Sequence, residues 1–285
     1  MDWRPIIMFF NIFKKKDEKE IIKEESKNSK DIIAEKKTKE YVAARKGEIG
    51  EYKIDIQLAQ LPKEYKYLSD IMVTNPKSIS GFSQIDHVVI TPYGIFVIET
   101  KNYQGTIYGG RERKEWSVNG KFKMMNPFFQ NYGHIKVLKD LVDKKLHNHF
   151  FSLVSFTKRC TFKVDQELRK ISSDDLILYD IELSEFIHRK VSVVKLQDKT
   201  PVLSSGEIDQ IYSIISKANI TDSKLREQHS RSINDKKEEK KSIESKKKCT
   251  TCGQPVSEKV AAYCLSNKKF DGKIYCYDHQ KTTLR

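Results

Sequence analysis

Asp86, Glu99 and Lys101 lie in two strand-like segments joined by the turn Thr91-Pro92-Tyr93-Gly94. Proline at the second position and glycine at the fourth are typical of a tight β-turn. If Thr91 pairs with Gly94 in an antiparallel hairpin, Asp86 lies opposite Glu99, with about 4.5–5.5 Å between their Cβ atoms. Lys101 then points to the same face, because side chains alternate along a strand. The hairpin predicts two carboxylates and an ammonium group on one face.

This group of charges has two interpretations. Buried ionised groups are costly unless they are paired or bind a metal, and two close carboxylates repel each other until a hard divalent cation neutralises them. A bound Mg²⁺ could generate a hydroxide nucleophile and contact a phosphate oxygen, while the lysine orients water or offsets negative charge. The alternative is a structural salt bridge between Lys101 and Asp86 or Glu99. His87 faces away from Asp86 and is expected to be a packing residue.

Four short segments form an ordered pattern that extends beyond the hairpin. They are Gly47-Glu48-Ile49-Gly50-Glu51, Gln84-Ile85-Asp86-His87-Val88-Val89-Ile90, Gly94-Ile95-Phe96-Val97-Ile98-Glu99-Thr100-Lys101-Asn102-Tyr103 and Asn126-Pro127-Phe128-Phe129-Gln130-Asn131. In this order and spacing they resemble the nuclease-related domain family, called NERD, a branch of the PD-(D/E)xK nuclease superfamily. The resemblance covers about residues 46–142. It departs from the superfamily pattern at Ile85, where many members have proline.

The resemblance implies a role for each matching residue. Asp86 and Glu99 would be ligands of Mg²⁺ or Mn²⁺, and the main-chain carbonyl of Thr100 would complete that site. Lys101 would be the catalytic lysine, and Gln130 a polar residue that assists it. A glutamate on the first helix would be the remaining member; Glu51 fits best, and Glu48, one helical turn earlier, is the competitor.

The elements that must position these residues alternate between helices and strands. Helices are predicted at Tyr41–Leu61, Pro127–Leu146, Leu183–Arg189 and Gly206–Lys217, and strands at Lys66–Thr74, Gln84–Thr91, Gly94–Lys101, Phe150–Phe156 and Asp175–Tyr179. Apolar alternation and periodicity indicate these elements. The order of helix, three strands, helix and strand predicts an α/β fold around a mixed central sheet, and the resemblance makes this a restriction-endonuclease-like αβββαβ core.

A second chemical pattern lies at the C-terminus. Cys249 and Cys252 form a Cys-x-x-Cys-Gly turn, and Cys276 and His279 follow as Cys-x-x-His. These are four ligands of the types and spacing that bind zinc. A module of 37 residues has too small a core to fold alone, so Zn²⁺ would stabilise it. Cys264 is expected to be a buried thiol, although replacement of a zinc ligand by it stays open.

Charge is concentrated in two flanking segments. The chain of 285 residues has a net charge of +14. Residues 14–46 hold 12 basic and 8 acidic residues, and residues 222–248 hold 10 and 6, so more than half of the excess lies outside the folded core. The charge distribution predicts an apolar and charged tether at 1–40 and a charged linker or solvated helix at 221–248. The resemblance implies a NERD-like nuclease domain at 41–220, and the Cys/His pattern resembles a zinc-ribbon-like module at 249–285.

The sequence favours a cytoplasmic metal-dependent nuclease or DNA-processing protein. Five cysteines in a chain of this length do not fit a small secreted disulfide scaffold. The expected partner is nucleic acid, with DNA favoured over RNA; the oligomeric state stays open.

Residues 6–16 are apolar and then basic, so they are either an unstructured end or a weak contact with the inner face of a membrane. The alternative function is non-catalytic: a nucleic-acid-binding or membrane-peripheral interaction protein with a nuclease fold.

Overall fold

The computed structural model of the protein describes residues 49–50 and 52–282, without the side chains of residues 237 and 240–246. Residues 49–50 and 52–58 are helical and form α1, within the helix predicted for Tyr41–Leu61. Residues 59–61 are described and form a turn, so the helix ends earlier than predicted; residues 41–48 and 51, the tether at 1–40 and the segment at 6–16 lie outside the described residues. Glu48 and Glu51, the two candidates for the helix carboxylate, lie outside them as well.

Strands dominate the first two thirds of the described chain, where one long helix interrupts them, and helices dominate the last third. The strands are β1 (Lys66–Thr74), β2 (Phe82–Thr91), β3 (Gly94–Lys101), β4 (Gly105–Tyr108), β5 (Glu115–Val118), β6 (Phe122–Met125), β7 (Phe150–Phe156), β8 (Cys160–Lys163) and β9 (Asp175–Tyr179). After α1 the helices are α2 (Pro127–Lys139), α3 (Leu183–Gln197), α4 (Ser205–Ala218), α5 (Ser223–Lys246), α6 (Glu258–Ser266) and α7 (Tyr277–Thr282).

A five-stranded mixed sheet in the order β1-β2-β3-β7-β9 forms the centre of the fold. β1, β2 and β3 pair antiparallel, whereas β3, β7 and β9 pair parallel. The hairpin register is the predicted one, since Thr91 pairs with Gly94 and the ladder continues to His87 opposite Ile98. Helices cover both faces: α1 and α3 pack on one apolar cluster, and α2 and α4 pack on the other. The mixed α/β class is therefore confirmed.

The hairpin turn depends on Gly94. Its φ is +146°, and a Cβ atom there would lie 2.6 Å from the main-chain oxygen of His149. That oxygen accepts a hydrogen bond from the Ile95 N–H at 2.8 Å, so it is held in place. The register that aligns the two carboxylate-bearing strands thus needs a residue without a side chain at this position.

We expect Gly94→Ala to lower the free energy of unfolding by about 3 kcal/mol or more, because left-handed strain and a clash with backbone add together. Denaturation in urea measures the loss. Gly120→Ala is the matched control, since Gly120 also has a positive φ, +68°, but a Cβ atom there would meet nothing within 4 Å. That variant should lose about 1–2 kcal/mol. Equal losses in the two variants would contradict the steric argument.

A second, four-stranded sheet, in the order β6-β5-β4-β8, follows the end of β3. None of the strands predicted from the sequence lies between Lys101 and Pro127, so β4, β5 and β6 were not predicted. Trp116 of β5 is 1% exposed, packs against Phe128 of α2 and donates its indole N–H to the carbonyl of Gly110. The tryptophan therefore anchors the small sheet against the helix that also lies beside the main sheet.

The C-terminal part of the described chain is helical. The segment predicted as a linker or solvated helix is helix α5, whose first turns are held to the main domain by Arg226 and His229. Arg226 forms an ion pair with Asp70 at 2.7 Å, and His229 forms a hydrogen bond with the hydroxyl of Ser80.

Within residues 49–50 and 52–282, no helix combines the length and the apolar character needed to cross a membrane.

Candidate functional site

The hairpin brings Asp86, Glu99 and Lys101 together at the carboxyl end of β3. The β2–β3 ladder stops one residue pair short of Asp86 and Glu99. Beyond that point Asp86 accepts the Thr100 N–H through Oδ2 at 2.6 Å, so its carboxylate replaces the next ladder bond. Glu99 is only 2% exposed, and its Oε1 forms an ion pair with the Lys101 Nζ. The structure therefore contains the predicted grouping, while the roles of its members stay predictions.

Lys101 is held between strand and helix. Its Nζ donates to Glu99 Oε1 and, at 3.0 Å, to Gln130 Oε1 on α2. Burial acts to lower the pKa of Lys101, but the contact with Glu99 and the nearby Asp86 carboxylate raise it above its usual value. The lysine is therefore an ammonium group at neutral pH, with its direction fixed by two acceptors.

The site holds more negative charge than Lys101 balances. Burial, and next the Glu99 carboxylate, raise the pKa of Asp86 to about 7, although the Thr100 N–H and Lys101 oppose this rise. A carboxylate with a raised pKa beside a second carboxylate is also a favourable place for a cation. Both donors are oxygens, which suit Mg²⁺ or Mn²⁺ better than softer metals. The residues thus fit the metal that the resemblance implies.

Helix α2 contributes a residue that the sequence analysis missed. His134 lies one turn after Gln130, and its Nδ1 is 3.4 Å from Glu99 Oε2. Burial, and then Lys101, lower the pKa of His134 to about 4, so the imidazole is neutral beside the carboxylate. A spacing of four residues on a helix places both side chains on one face, and that was the available signal.

Two asparagines fix the position of α2. Asn126 caps the helix by accepting the Phe128 N–H at 2.9 Å, and its amide donates to three loop carbonyls, those of Gly110, Arg111 and Arg113. Asn131 donates to the carbonyl of Val97 in β3 and to the Ser152 hydroxyl, each at 2.8 Å. These bonds set the rotation and height of α2 against β3 and so direct Gln130 towards Lys101.

The first helix passes close to the same strand end. Gly50 is buried, and a Cβ atom at this position would lie 3.6 Å from the side chains of Thr100 and Asn102. Glu51 follows Gly50 in the chain but lies outside the described residues. The choice between Glu51 and Glu48 as helix carboxylate, and the carbonyl of Thr100 as a ligand, therefore stay predictions.

His87 lies away from the carboxylates, as the sequence analysis expected. It is 1% exposed, its Nδ1 is 2.9 Å from the Ser69 hydroxyl, and that hydroxyl donates to Asp55 of α1 at 2.6 Å. Burial lowers the pKa of His87 to about 4. The neutral histidine joins β1, β2 and α1 on the opposite face of the sheet, which is a packing role.

The C-terminal cysteines and histidine converge on one point. The ligand atoms of Cys249, Cys252, Cys276 and His279 all lie within 4.8 Å of one another. The Sγ atoms of Cys252 and Cys276 are 3.8 Å apart, and the Cys249 Sγ is 3.5 Å from the His279 Nδ1. A tetrahedral zinc ion with bonds of about 2.0–2.3 Å separates its ligand atoms by about 3.5–3.8 Å. The cluster could therefore bind zinc.

The surroundings of the cluster support this geometry. Burial acts to raise the pKa of Cys249, but main-chain donors of Cys276, Cys252 and Thr251 lower it to about 6, so the thiolate needed for zinc is present at neutral pH. Cys264 lies outside the cluster; it is fully buried and its Sγ accepts the Tyr275 N–H at 3.4 Å. The structure thus places Cys264 as a buried thiol.

The family comparison covers the strands that carry Asp86, Glu99 and Lys101 and does not extend to the Cys/His cluster. A family model described as the nuclease-related domain, NERD, matches residues 46–157, which include both carboxylates, the lysine and the start of α2. An uncharacterized protein of Bacillus anthracis is 32% identical over 202 residues, which are 70% of this chain and 88% of that protein. No solved structure matches the chain.

Proposed function

The chain belongs to the nuclease-related domain family, and on this basis we propose that it is a metal-dependent nuclease that hydrolyses phosphodiester bonds. The observation that carries the proposal is the Lys101 ammonium group, which is fixed between Glu99 and Gln130 beside a second carboxylate, Asp86. A salt bridge alone would not need Asp86, whose pKa is raised to about 7 by burial and Glu99.

Each residue has a role that its contacts support. Asp86, Glu99 and the main-chain carbonyl of Thr100 would hold Mg²⁺ or Mn²⁺. When bound, such an ion lowers the pKa of a coordinated water and neutralises charge on a phosphate oxygen. Lys101 would then donate a hydrogen bond to the attacking water or to the phosphoryl oxygen that gains negative charge.

Residues on the two helices would support this centre. Gln130 fixes the Lys101 Nζ by accepting a hydrogen bond from it through Oε1 at 3.0 Å. His134 is neutral, and its Nδ1 lies 3.4 Å from the second oxygen of Glu99, Oε2. Glu51, or Glu48 in its place, would supply a further carboxylate from the first helix.

The finer fold assignment belongs to the same proposal. Helix α1, strands β1 to β3, helix α2 and strand β7 follow one another in the chain and pack around the mixed sheet. This order supports a restriction-endonuclease-like αβββαβ core. The second sheet and α5 would then be additions to that core, and the Cys/His module would hold Zn²⁺ and help to bind DNA or a partner.

The expected substrate is DNA in preference to RNA, and the expected location is the cytoplasm, with residues 6–16 either an unstructured end or a weak contact with the inner face of the membrane. Net charge of +14 supports an attraction to polyanions of either kind. Charge does not select DNA, so the substrate must be tested directly.

The test is a cleavage assay on the full chain. Single- and double-stranded DNA and RNA are incubated with Mg²⁺, with Mn²⁺ and without added metal. Omission of metal is preferable to EDTA, because EDTA would also remove an ion from the Cys/His cluster. We expect cleavage that requires Mg²⁺ or Mn²⁺ and is faster on DNA. Intact substrates under every condition would contradict the proposal and leave the non-catalytic alternatives.

A further inference from the structure

An exposed aromatic ring lies beside the candidate active site. Phe122, the first residue of β6, is 57% exposed. Its ring centroid is 5.8 Å from that of Tyr103, at an angle of 43°. Tyr103 comes two residues after Lys101 and in turn contacts Phe156, the β7 residue paired with Lys101. The Phe122 ring is therefore held by an aromatic neighbour next to the strand end that bears the carboxylates.

The hairpin that carries Phe122 is held in one position. Asn119, in the turn before β6, exchanges two hydrogen bonds with Thr106 of β4: its N–H donates to the Thr106 carbonyl at 2.7 Å, and its Oδ1 accepts the Thr106 N–H at 2.8 Å. Trp116 anchors the same hairpin in the interior. A ring fixed in this way loses little further freedom when a flat ligand covers it, which favours binding.

Basic residues precede and follow Phe122 in the chain. Lys121 and Lys123 flank Phe122 and are exposed, although Lys123 shares its charge with Glu115 at 3.2 Å. The Arg159 guanidinium donates to the Asn102 side chain at 2.7 Å, between Lys101 and Tyr103. An exposed aromatic ring in a segment with exposed basic side chains is complementary to a stacked base whose phosphates contact those side chains.

We infer that Phe122 stacks on a base next to the cleaved phosphate, and that the substrate of this site is a single strand or an unpaired end. This inference rests on the proposed nuclease function of the neighbouring site. In a duplex both faces of each internal base are covered by its neighbours, so a ring that does not unstack the duplex reaches such a base only where the strand is unpaired. Tyr103 supports the Phe122 ring from behind, as a positioning residue.

The test measures binding by the full chain without added metal, so that cleavage does not interfere. Fluorescence anisotropy compares a labelled single strand with a blunt duplex of equal length, in DNA and RNA forms and at one salt concentration. We expect the single strand to bind at least 10-fold more tightly than the duplex. Phe122→Ala should lose about 10-fold in affinity for the single strand, since stacking contributes about 1–3 kcal/mol per base, with little change for the duplex.

Four variants separate stacking from other effects. Phe122→Trp should retain the affinity, whereas Phe122→Leu should lose as much as Phe122→Ala, because leucine keeps apolar bulk but has no aromatic face. Tyr212→Ala is the control, since Tyr212 is an exposed aromatic residue on α4. Lys121→Gln should lower the affinity for the single strand and for the duplex by the same factor, and should lower the salt dependence of both affinities.

The outcomes also separate this inference from the nuclease proposal. Equal affinity for duplex and single strand, or full affinity in Phe122→Ala, would overturn the stacking role even if the chain cleaves DNA. Stacking by Phe122 in a chain that cleaves nothing would leave the inference valid as a binding mode and refute only the catalytic proposal.

Discussion

Lys101→Met is expected to reduce metal-dependent cleavage by about 10²- to 10³-fold, the usual cost of removing one donor aimed at developing charge. The ammonium group is fixed by Glu99 and Gln130, so no other described lysine or arginine is bonded into the same position. Methionine keeps most of the length of the side chain and removes the charge. Initial rates at saturating Mg²⁺ measure the loss.

Glu99→Gln should have an effect of at least the same size, because it removes the negative charge of a proposed metal ligand. Its rate should recover in part at higher Mn²⁺, whereas the rate of Lys101→Met should not. This difference in metal dependence separates a ligand from a residue that acts on the phosphate or the water.

Stability must be controlled in both variants, since breaking a buried ion pair leaves an uncompensated charge that can cost about 3–5 kcal/mol. Glu99→Gln is the milder change because the amide can still bond Lys101. Lys170→Met and Glu167→Gln provide a matched pair, as this ion pair is exposed and belongs to neither site. We expect full activity in those two variants. Wild-type rates in folded Lys101→Met would refute the catalytic role and return Lys101 to a structural salt bridge.

The hairpin could be predicted because several local rules agree on one register. Proline and glycine define the turn, so the pairing starts with Thr91 opposite Gly94, and the residues next to the turn are apolar on both strands. A shift of the register by one residue would turn the side chains of one strand to the opposite face of the sheet. The position of Asp86 and Glu99 follows from that register. The hydrogen bond from the Thr100 N–H to Asp86 does not follow, since it forms where the ladder ends.

The second sheet could not be predicted from local pattern. Its strands have four residues each, too few for a reliable alternation, and β4 pairs with β8, which follows much later in the chain. Local pattern also made the predicted second helix, Pro127–Leu146, too long. Its apolar stripe continues to Leu146, but the helix ends at Lys139, and Asp143 caps a separate 3₁₀ turn at Lys144–Leu146.

The active-site prediction was most complete on the strands and least complete on the helices. Strand neighbours are fixed by alternation, whereas a helix can rotate until specific bonds stop it. Here Asn126 and Asn131 supply these bonds, and they place both Gln130 and the unpredicted His134 against β3. The segment from Asn126 to Asn131 therefore contains two residues that position the helix and one, Gln130, that contacts Lys101.

The full chain is expected to bind about one zinc ion, and Cys276→Ser should remove it. The four ligand atoms lie within 4.8 Å of one another, so three remaining ligands would leave an open, weakened site. Structural zinc contributes about 10–16 kcal/mol to small modules of this kind, and few buried side chains are available here to replace it, with Ala261, Cys264 and Phe270 as the buried residues of α6 and the following turn. Metal content is measured by mass spectrometry of the purified protein.

Limited proteolysis shows whether folding depends on that ion. In Cys276→Ser the segment after α5 should be cleaved rapidly, while residues 52–218 stay resistant, because no described strand of either sheet includes the cluster. Cys264→Ser is the matched control: it changes a buried thiol that accepts the Tyr275 N–H but is not a ligand, so it should destabilise the module and still retain zinc. A zinc-free chain whose C-terminal segment resists protease would refute the metal site, since the module would then be stable through packing alone. Loss of zinc from Cys264→Ser, with Cys276→Ser still loaded, would instead show that the two thiols have exchanged roles.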